Sequence, residues 1–342
     1  MNPLEYASYW ARELGCSEKS LVKLRGGINN HVYRCGANQK LWVIKGYPIR
    51  QNQQRDRMQA EVDFLRYAHE VAPGRVPELL TVDIDRRCVV LEHIQGTPYH
   101  EGISPNDEDV QAAIEFFRQL NADLNLAQKM IKMDAAEGFL SLSQHLANVR
   151  QRLAAMDAKH LPTELRSQAI KLLANLQDIT DHLEGKLETQ IAAGEIVDDL
   201  DPGLRCISPS DFGFHNAILT SLGIKFIDFE FAGWDDPTKT CIDFQLQPKV
   251  PIKRYSKDLS TIIAKDKNAY IQHRRKTLLP ILEAKWLCIV LAILQQERLE
   301  SIISQQPGIN STLLIQARLI KAKKWLVKSE GLSLAKKLCK YT

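Results

Sequence analysis

The sequence predicts an α+β protein of two parts, a small antiparallel sheet followed by a larger, mainly helical region. Short apolar runs separated by turn residues fill the first 95 residues, which is typical of antiparallel strands. The segment Gln95-Gly96-Thr97-Pro98 interrupts this pattern, and apolar residues at three- and four-residue steps then dominate residues 105–200. A chain of 342 residues can bury one large core or two. We therefore predict one lobe over residues 1–95 and a second over residues 96–342.

The N-terminal part begins with a short predicted helix within residues 1–20, followed by strands around a glycine turn. The segment LVKLRGGINNHVYRCG predicts strand, turn and strand, with Gly26-Gly27 at the turn. Such a glycine pair lets backbone N–H groups approach a phosphate closely, although a hairpin turn is its usual explanation. Leu41–Ile44 is the next predicted strand, and Lys45 lies at its polar end.

The segment after this strand offers a partner for Lys45. Residues 52–72 are predicted to form a helix, because their apolar residues recur at three- and four-residue steps. Glu61 adjoins that apolar stripe, where it could face inward to Lys45. Glu70 is the competing choice, but it lies near the predicted end of the helix.

The remaining elements of the chain follow from the same patterns. Two more strands, ELLTVDI and CVVLEHI, precede the break at Gln95. Helices are predicted from Asp107 to about Asn125, over 141–157, and over 163–193 with a break near Asp178 to Gly185. The tail is predicted to be helical over about 254–275, 277–301 and 311–340.

The stretch from Cys206 to Gly233 predicts a hairpin that gathers polar residues. Two short apolar runs within it are joined by a turn that contains Gly223. Asp211 and Asn216 precede the first run, and Asp228 ends the second. Because a hairpin brings its two ends together, we expect these three side chains around one small volume.

This set of side chains has the composition that phosphoryl transfer requires. Mg²⁺ takes hard oxygen ligands and keeps several waters, so one carboxylate and one amide oxygen suffice. A second carboxylate, not bound to metal, can orient or deprotonate the accepting hydroxyl. In protein kinases the catalytic-loop Asp and Asn are five residues apart and an Asp-Phe pair follows, as do Asp211, Asn216 and Asp228-Phe229 here. We therefore predict Asp211 as the catalytic residue, Asn216 and Asp228 as ligands of Mg²⁺, and ATP as the donor.

At these residues the chain resembles the aminoglycoside phosphotransferase/choline kinase family of small-molecule kinases. SDFGFHNAIL is similar to that family's catalytic loop, placed at residues 206–217, and FIDFEFAGWDDP is similar to its metal-binding loop, placed at residues 226–237. The resemblance implies a bilobal protein-kinase-like fold, with a small antiparallel-sheet N-lobe and a larger, mainly helical C-lobe. The family usually has His two residues before the catalytic Asp, whereas this chain has Pro209. That departure puts the geometry of the loop in question.

The resemblance also implies roles for residues of the first, nucleotide-binding lobe. Lys45 would pair with the α- and β-phosphates, and Glu61 would orient Lys45. The glycine turn would cover the phosphates, and the segment connecting the lobes would hydrogen-bond the adenine. The remaining predicted nucleotide contacts are Gly26, Gly27, Asn29, Glu92 and Ile94.

The composition narrows the class of protein. Hydrophobic residues at 44% and charged residues at 25% are typical of a soluble globular protein. The amphipathic, Glu-containing start predicts no signal peptide, and the apolar run Trp286–Leu294 is too short to span a bilayer. The seven cysteines lack a C-x-x-C motif and any ligand spacing with His. They predict reduced, mostly buried thiols in a cytoplasmic protein without zinc.

The net charge of +4 conceals an asymmetry. From Lys249 to the end there are 19 Lys and Arg against 6 Asp and Glu, whereas residues 1–248 carry 26 against 35. A basic region could receive an anionic substrate, nucleic acid or a membrane surface. Solvated helix faces explain it better, because many of the lysines fall at helical spacing between apolar positions. We therefore predict neither a nucleic-acid nor a membrane partner.

These observations favour transfer of the γ-phosphoryl group of ATP to a hydroxyl of a small molecule. The charge balance favours a sugar, an amino sugar or a related metabolite over a polycationic aminoglycoside. The alternative is a pseudokinase that binds nucleotide or serves as a scaffold without turnover, and Pro209 favours it. The joint presence of Lys45, Asp211, Asn216 and Asp228 argues against it. The sequence contains no recognisable nucleic-acid-binding module, which argues against a nucleic-acid binder. The acceptor, the choice of ATP or GTP, and the oligomeric state stay open.

Overall fold

The structure is a computed structural model that describes most of the chain. The described residues are 3–24, 30–49, 55–100, 104–252, 268–306, 308–329 and 331–332. Backbone contacts group the chain into two compact units, one of Met1–Gly138 with Arg205–Ile263 and one of Phe139–Leu204 with Ala264–Thr342. These units follow contacts rather than chain order, so the division into lobes at residue 95 stays a prediction.

A five-stranded antiparallel sheet forms the N-terminal part of the first unit. Its strands are β1 (Val22–Lys23), β2 (His31–Ala37), β3 (Lys40–Gly46), β4 (Leu79–Asp83) and β5 (Cys88–Glu92). They lie in the order β1-β2-β3-β5-β4. Lys45 on the central strand β3 lies opposite Val32 of β2 and Val89 of β5. The sheet therefore holds Lys45 between two hydrogen-bonded neighbours.

Each face of this sheet is covered by a helix. Helix α1 (Pro3–Glu13) buries Tyr6 against one face, where a side chain at Gly46 would place its Cβ 2.0 Å from the Tyr6 hydroxyl oxygen. Helix α2 (Arg57–Val71) packs within the larger core and begins at Asp56, whose side chain accepts a hydrogen bond from the Gln59 N–H at 3.1 Å. Glycine at position 46 thus permits the close approach of α1.

The other elements of the first unit surround an aromatic core. They are β6 (Thr97–Pro98), α3 (Asp107–Leu120), α4 (Leu124–Met130), β7 (Cys206–Ser208), β8 (Ala217–Thr220), β9 (Gly223–Phe226), β10 (Gly233–Asp235) and α7 (Pro237–Leu246). Strands β8 and β9 form the predicted hairpin, β6 extends it, and β7 pairs with β10. Phe116 of α3 stacks on Phe226 of β9 with ring centroids 4.8 Å apart. The same core contains Phe64 of α2 and Phe229, stacked at 4.5 Å. These rings fix the hairpin against α2 and α3.

The second unit is helical in its described residues. Its helices are α5 (Leu142–Ala154), α6 (Thr163–Ala192), α8 (Asn268–Leu291), α9 (Gln296–Gln305) and α10 (Ser311–Lys328). The break predicted near Asp178 to Gly185 does not occur, because α6 runs without interruption for 30 residues. A Cβ at Gly185 would meet nothing within 4 Å, and the buried stripe that includes Leu183 and Leu187 outweighs the helix cost of one glycine, which is about 1 kcal/mol.

The tail is described in part, and its helix boundaries differ from the prediction. Residues 254–267 of the first predicted tail helix lie outside the described residues, so that part stays a prediction. The predicted break between residues 275 and 277 does not occur, because α8 runs from Asn268 to Leu291. The second predicted helix is divided after Leu291, where a 3₁₀ turn at Ala292–Leu294 leads into α9. Within the described chain, Ala269–Leu294 is long and apolar enough to cross a membrane, but 72% of the tested window is buried in the protein. A core helix has the same properties, so this stretch is weak evidence for a membrane span.

The six described cysteines form no disulfide bonds with one another, and all are buried. Burial, followed by the hydrogen bond from Cys16, raises the pKa of Cys35 on β2 to about 12. Burial and the nearby charge of Asp83 raise the pKa of Cys88 on β5 to about 12. These thiols therefore stay protonated and unreactive within the folded sheet.

Candidate active site

Lys45 joins the sheet, α2 and the hairpin through two ion pairs. Its Nζ donates to Glu61 Oε2 at 2.6 Å and to Asp228 Oδ1 at 2.5 Å. The side chains of Lys45 and Glu61 are 7% and 1% exposed, whereas that of Asp228 is 35% exposed. Glu61, and not Glu70, therefore meets Lys45. One member of this lysine cluster (Lys45, Glu61 and Asp228) remains open to solvent.

A tyrosine directly after β3 contacts the lysine cluster. The Tyr47 hydroxyl donates to Glu61 Oε2 at 2.7 Å. Burial lowers the pKa of Lys45, but the charges of Asp228 and Glu61 outweigh it, so that the pKa lies above its ordinary value. Burial and the neighbouring Glu61 carboxylate raise the pKa of Tyr47. Lys45 therefore stays a cation and Tyr47 a neutral donor at neutral pH.

The hairpin brings Asn216 and Asp228 to the same end of its two strands. The Ile227 N–H donates to the Asn216 carbonyl oxygen at 2.9 Å, one residue before Asp228. The Asn216 amide nitrogen donates to the Asp211 carbonyl oxygen at 3.0 Å. This bond fixes which end of the amide is its donor, and the amide oxygen is the atom that a metal would meet. The contacts link all three predicted residues of the two loops.

Asp228 has an unusual backbone conformation. Its φ is +69°, in the left-handed region that non-glycine residues rarely adopt. Asp and Asn tolerate this region better than other side chains, because their short polar groups hydrogen-bond locally. The strained residue coincides with the carboxylate that Lys45 contacts.

Asp211 lies on the loop between β7 and β8, with 40% of its side chain exposed. Its Oδ1 lies 3.2 Å from His215 Nε2. Burial raises the pKa of Asp211, but the hydrogen bond from His215, the charge of His215 and the charge of Lys249 outweigh it and hold the pKa below its ordinary value. Asp211 is therefore an ionised, partly accessible carboxylate at neutral pH. Such a group can accept a hydrogen bond from an alcohol.

Glu230, two residues after Asp228, carries a network that sequence reasoning missed. Its Oε2 accepts from the Asn30 amide nitrogen at 2.7 Å and from Arg57 Nη1 at 3.3 Å. Arg55 donates to the Glu230 carbonyl oxygen at 3.2 Å and also to the carbonyl oxygen of Ala232. Burial raises the pKa of Glu230. These contacts tie the start of α2 to the metal-binding loop, and the sequence separation of 175 residues hides them from local patterns.

The structure describes only some of the residues predicted to contact the nucleotide. Gly26, Gly27 and Asn29 lie outside the described residues. The Glu92 carboxylate is engaged by Lys225 Nζ at 2.9 and 3.0 Å, and Ile94 is 8% exposed. Their contact with adenine stays a prediction.

A second lysine lies between carboxylates beneath the metal-binding loop. Lys239 Nζ donates to Asp235 Oδ2 at 2.6 Å and lies 3.6 Å from Asp243 Oδ2. The three side chains of this buried triad are 2%, 0% and 7% exposed. Asp235 belongs to β10, which starts at Gly233, where a Cβ would lie 2.4 Å from the Met133 carbonyl oxygen. The triad therefore holds the end of the loop from within the core.

The donor set fits a weakly held Mg²⁺ rather than a metal enclosed by protein ligands. Among the residues that the structure describes, no group of three or more His, Cys, Asp or Glu side chains could hold a metal ion. Asp228 is partly exposed, and Asn216 adds a neutral oxygen beside it. Mg²⁺ in nucleotide sites takes one or two such ligands and completes its coordination with water and phosphate oxygens. The residues present are consistent with that mode.

Comparison of the chain with models of known protein families shows which family it belongs to. The model of the phosphotransferase enzyme family matches residues 20–239, which include Lys45, Glu61, Asp211, Asn216 and Asp228. The chain belongs to this phosphotransferase family. The family match confirms the resemblance to the aminoglycoside phosphotransferases and choline kinases. A search of curated proteins finds no match.

Solved structures of small-molecule kinases share the fold of this family member. Choline kinase from Streptococcus pneumoniae has a TM-score of 0.52 at 14% identity, with 94% of this chain and 98% of that chain covered. Plasmodium vivax ethanolamine kinase has a TM-score of 0.53 at 13% identity, with 93% and 86% covered. Spectinomycin phosphotransferase in complex with ADP and spectinomycin has a TM-score of 0.53 at 13% identity, with 89% and 93% covered. At these identities the likeness establishes the protein-kinase-like α+β fold and leaves the substrate open.

Proposed function

We propose that this phosphotransferase family member transfers the γ-phosphoryl group of ATP, with Mg²⁺, to a hydroxyl of a small molecule. The observation that carries the proposal is the lysine cluster, because Lys45 connects Glu61 of α2 with Asp228 beside Asn216. A buried cation, the Asn216 and Asp228 side chains and an ionised Asp211 in one unit of the fold support this proposal.

The roles of the residues follow from their chemistry. Lys45, oriented by Glu61, would bind the α- and β-phosphates as a point charge. Asn216 and Asp228 would hold Mg²⁺, which supplies charge neutralisation on the phosphates when bound. The ionised Asp211 would accept the hydrogen bond of the acceptor hydroxyl and orient it for in-line attack. Catalysis would depend on this positioning and on charge stabilisation, with no covalent enzyme intermediate.

The charge distribution supports an acceptor that is neutral or anionic. A sugar, an amino sugar or a related metabolite suits the basic C-terminal region, which holds 19 Lys and Arg against 6 Asp and Glu from Lys249 onward. The buried free thiols support a cytoplasmic location as part of the same proposal.

Replacement of Asp211 by Ala tests the function. We expect Mg²⁺-dependent ADP release, measured with ATP and a panel of hydroxyl-bearing metabolites, to fall about 10²- to 10⁴-fold, because the acceptor loses its orienting carboxylate. Affinity for MgATP, measured by calorimetry, should change by less than about threefold. Asp63→Ala is the matched control, since this α2 carboxylate hydrogen-bonds Gln59 and contacts no proposed site residue in the described structure.

Two results would contradict the proposal in different ways. Wild-type protein that binds MgATP but releases no ADP with any acceptor, or with water, would be a pseudokinase. Full turnover in the Asp211→Ala variant would show that another group orients the acceptor.

A further inference from the structure

We propose that His215 is the positioning residue that orients the Asp211 carboxylate in this chain. The inference rests on the proposed role of Asp211. Pro209 stands two residues before Asp211, where the resembling family usually has His, and proline offers neither a backbone N–H nor a polar side chain there. A histidine four residues after Asp211 contacts its carboxylate.

The contact between His215 and Asp211 has a defined direction. His215 Nε2 lies 3.2 Å from Asp211 Oδ1, and the imidazole is 5% exposed. An ionised carboxylate can only accept, so Nε2 carries the hydrogen and donates it. The other ring nitrogen, Nδ1, has no hydrogen-bond partner within the described residues. The bond uses one carboxylate oxygen and leaves the other for an acceptor hydroxyl.

Gln247 packs beside the same edge of the imidazole. This residue directly follows α7 and is 4% exposed. Its amide oxygen accepts from the Lys249 N–H at 2.9 Å, which sets the orientation of the amide. The amide nitrogen then lies 3.3 Å from His215 Nε2, and because both atoms are donors when Nε2–H points to Asp211, this contact is packing rather than a hydrogen bond. The ring therefore contacts both Asp211 and the end of α7.

Gly213 makes room for this arrangement within the catalytic loop. A Cβ at this position would lie 2.9 Å from Gln247 Cγ and 3.0 Å from His215 Nδ1. The backbone φ of Gly213 is 167°, an extended value that any residue adopts. Glycine is thus required for space between the two side chains, and a methyl group there would displace one of them.

A spectroscopic experiment tests the hydrogen bond without reference to turnover. Nitrogen-15 resonances of imidazole distinguish the Nε2–H tautomer from the Nδ1–H tautomer. We expect His215 to carry a hydrogen on Nε2 in the wild type, and a shift of its Nε2 resonance in Asp211→Ala with little change at His69. An Nδ1–H tautomer, or a resonance insensitive to the loss of Asp211, would overturn the inference.

Two substitutions at His215 test the positioning role in catalysis. His215→Leu keeps a similar volume but removes the donor, and we expect kcat for Mg²⁺-dependent ATP turnover to fall about ten- to hundredfold with KM for ATP within about twofold. His215→Gln restores an N–H donor of similar reach and should recover at least part of kcat. His69→Leu is the control, because it removes the contact of a partly buried imidazole with the Pro77 carbonyl oxygen at 3.0 Å without contact to the catalytic loop.

The outcomes separate this inference from the proposed function. If Asp211→Ala abolishes turnover while His215→Leu matches the wild type, the inference fails and the function stands. If His215→Leu and His215→Gln lose turnover equally, with His69→Leu unaffected, packing of the ring rather than its donor is responsible, which also overturns the inference. If the wild type shows no turnover but the tautomer is Nε2–H and responds to Asp211, the hydrogen bond stands and the proposed function fails.

Discussion

Two lysines of the first unit each contact two carboxylates, yet their surroundings differ. In the lysine cluster, Lys45 contacts partners 16 and 183 residues away, and Asp228 is 35% exposed. In the buried triad, Lys239 contacts partners four residues away on either side, and no side chain is more than 7% exposed. The first cluster joins distant parts of the chain and opens to solvent, whereas the second stays local and closed.

This difference separates a binding role from a structural one. A cation that must meet phosphate needs one partner that can be hydrated or exchanged, and Asp228 meets that condition. The buried triad has no access for a ligand, so its charges can act only on the fold. A buried pair costs desolvation, and its loss is expensive mainly because it leaves an uncompensated charge. Exposure of one member, rather than the number of charges, therefore favours Lys45 over Lys239 for the proposed contact with nucleotide phosphates.

Replacing each lysine by Met gives the largest expected effects and tests the comparison directly. Lys239→Met leaves Asp235 in the core without its cation and should lower the free energy of unfolding by about 3–5 kcal/mol. Lys45→Met should cost less, about 1–3 kcal/mol, because Tyr47 still donates to Glu61 and Asp228 can be solvated. Turnover should fall about a hundred- to thousandfold in Lys45→Met. Urea denaturation measures the loss of stability in each variant, and ADP release measures the loss of turnover in Lys45→Met.

The double variant Asp235→Asn/Lys239→Met serves as the control for the triad. It removes both charges of the close pair and should recover part of the stability lost in Lys239→Met. A double variant as unstable as the single one would mean that lost packing, rather than unpaired charge, explains the cost.

The pH dependence of stability should differ between the wild type and Asp235→Asn. Burial, outweighing the nearby Lys239, raises the pKa of Asp235 to about 6. The folded state then binds a proton more tightly than the unfolded chain does, so this group's contribution to stability falls as pH rises from about 4 through about 6. Between pH 5 and 7 the wild type should lose on the order of 1 kcal/mol that Asp235→Asn does not lose. Parallel stability curves from denaturation at several pH values would contradict this assignment.

The smallest stability effects are expected at Asp228. Asp228→Asn removes an ion pair with an exposed partner and should cost less than about 1 kcal/mol, since Asn tolerates the left-handed backbone and Lys45 keeps Glu61. Asp228→Ala should cost about 1 kcal/mol more, because alanine is strained at a φ of +69°. Both variants should lose Mg²⁺-dependent turnover. Equal stability of the two would exclude backbone strain as a cost at this site.

Local patterns predicted those parts of the fold that are stabilised locally. The hairpin follows from two apolar runs around Gly223, and α2 follows from its apolar period, so the sequence also indicated that Glu61 faces Lys45. Helix α3 begins as predicted at Asp107, because the Asn106 side chain accepts from the Asp109 N–H at 2.8 Å and the Asp109 carboxylate accepts from the Asn106 N–H. Each of these predictions depends on residues within a few turns of one another.

The missed features depend on long-range contacts. The pairing of β10 with β7 joins Gly233 to Ser208, and no local period marks a three-residue strand. The Arg55 and Arg57 contacts to the metal-binding loop span more than 170 residues. No local pattern marks the contact of His215 with Asp211, because it depends on the folded path of the loop, where Gly213 leaves space for the imidazole. Such features require the folded chain.

The protonated thiols of Cys35 and Cys88 have a consequence for solution work on the sheet that carries Lys45. Alkylating reagents attack thiolates, and pKa values of about 12 leave almost none in the closed sheet at neutral pH. Labelling at these positions therefore requires the strands to separate first. The rate of alkylation at Cys35 and Cys88 therefore reports how often the sheet that carries Lys45 opens, and the measurement needs no known acceptor.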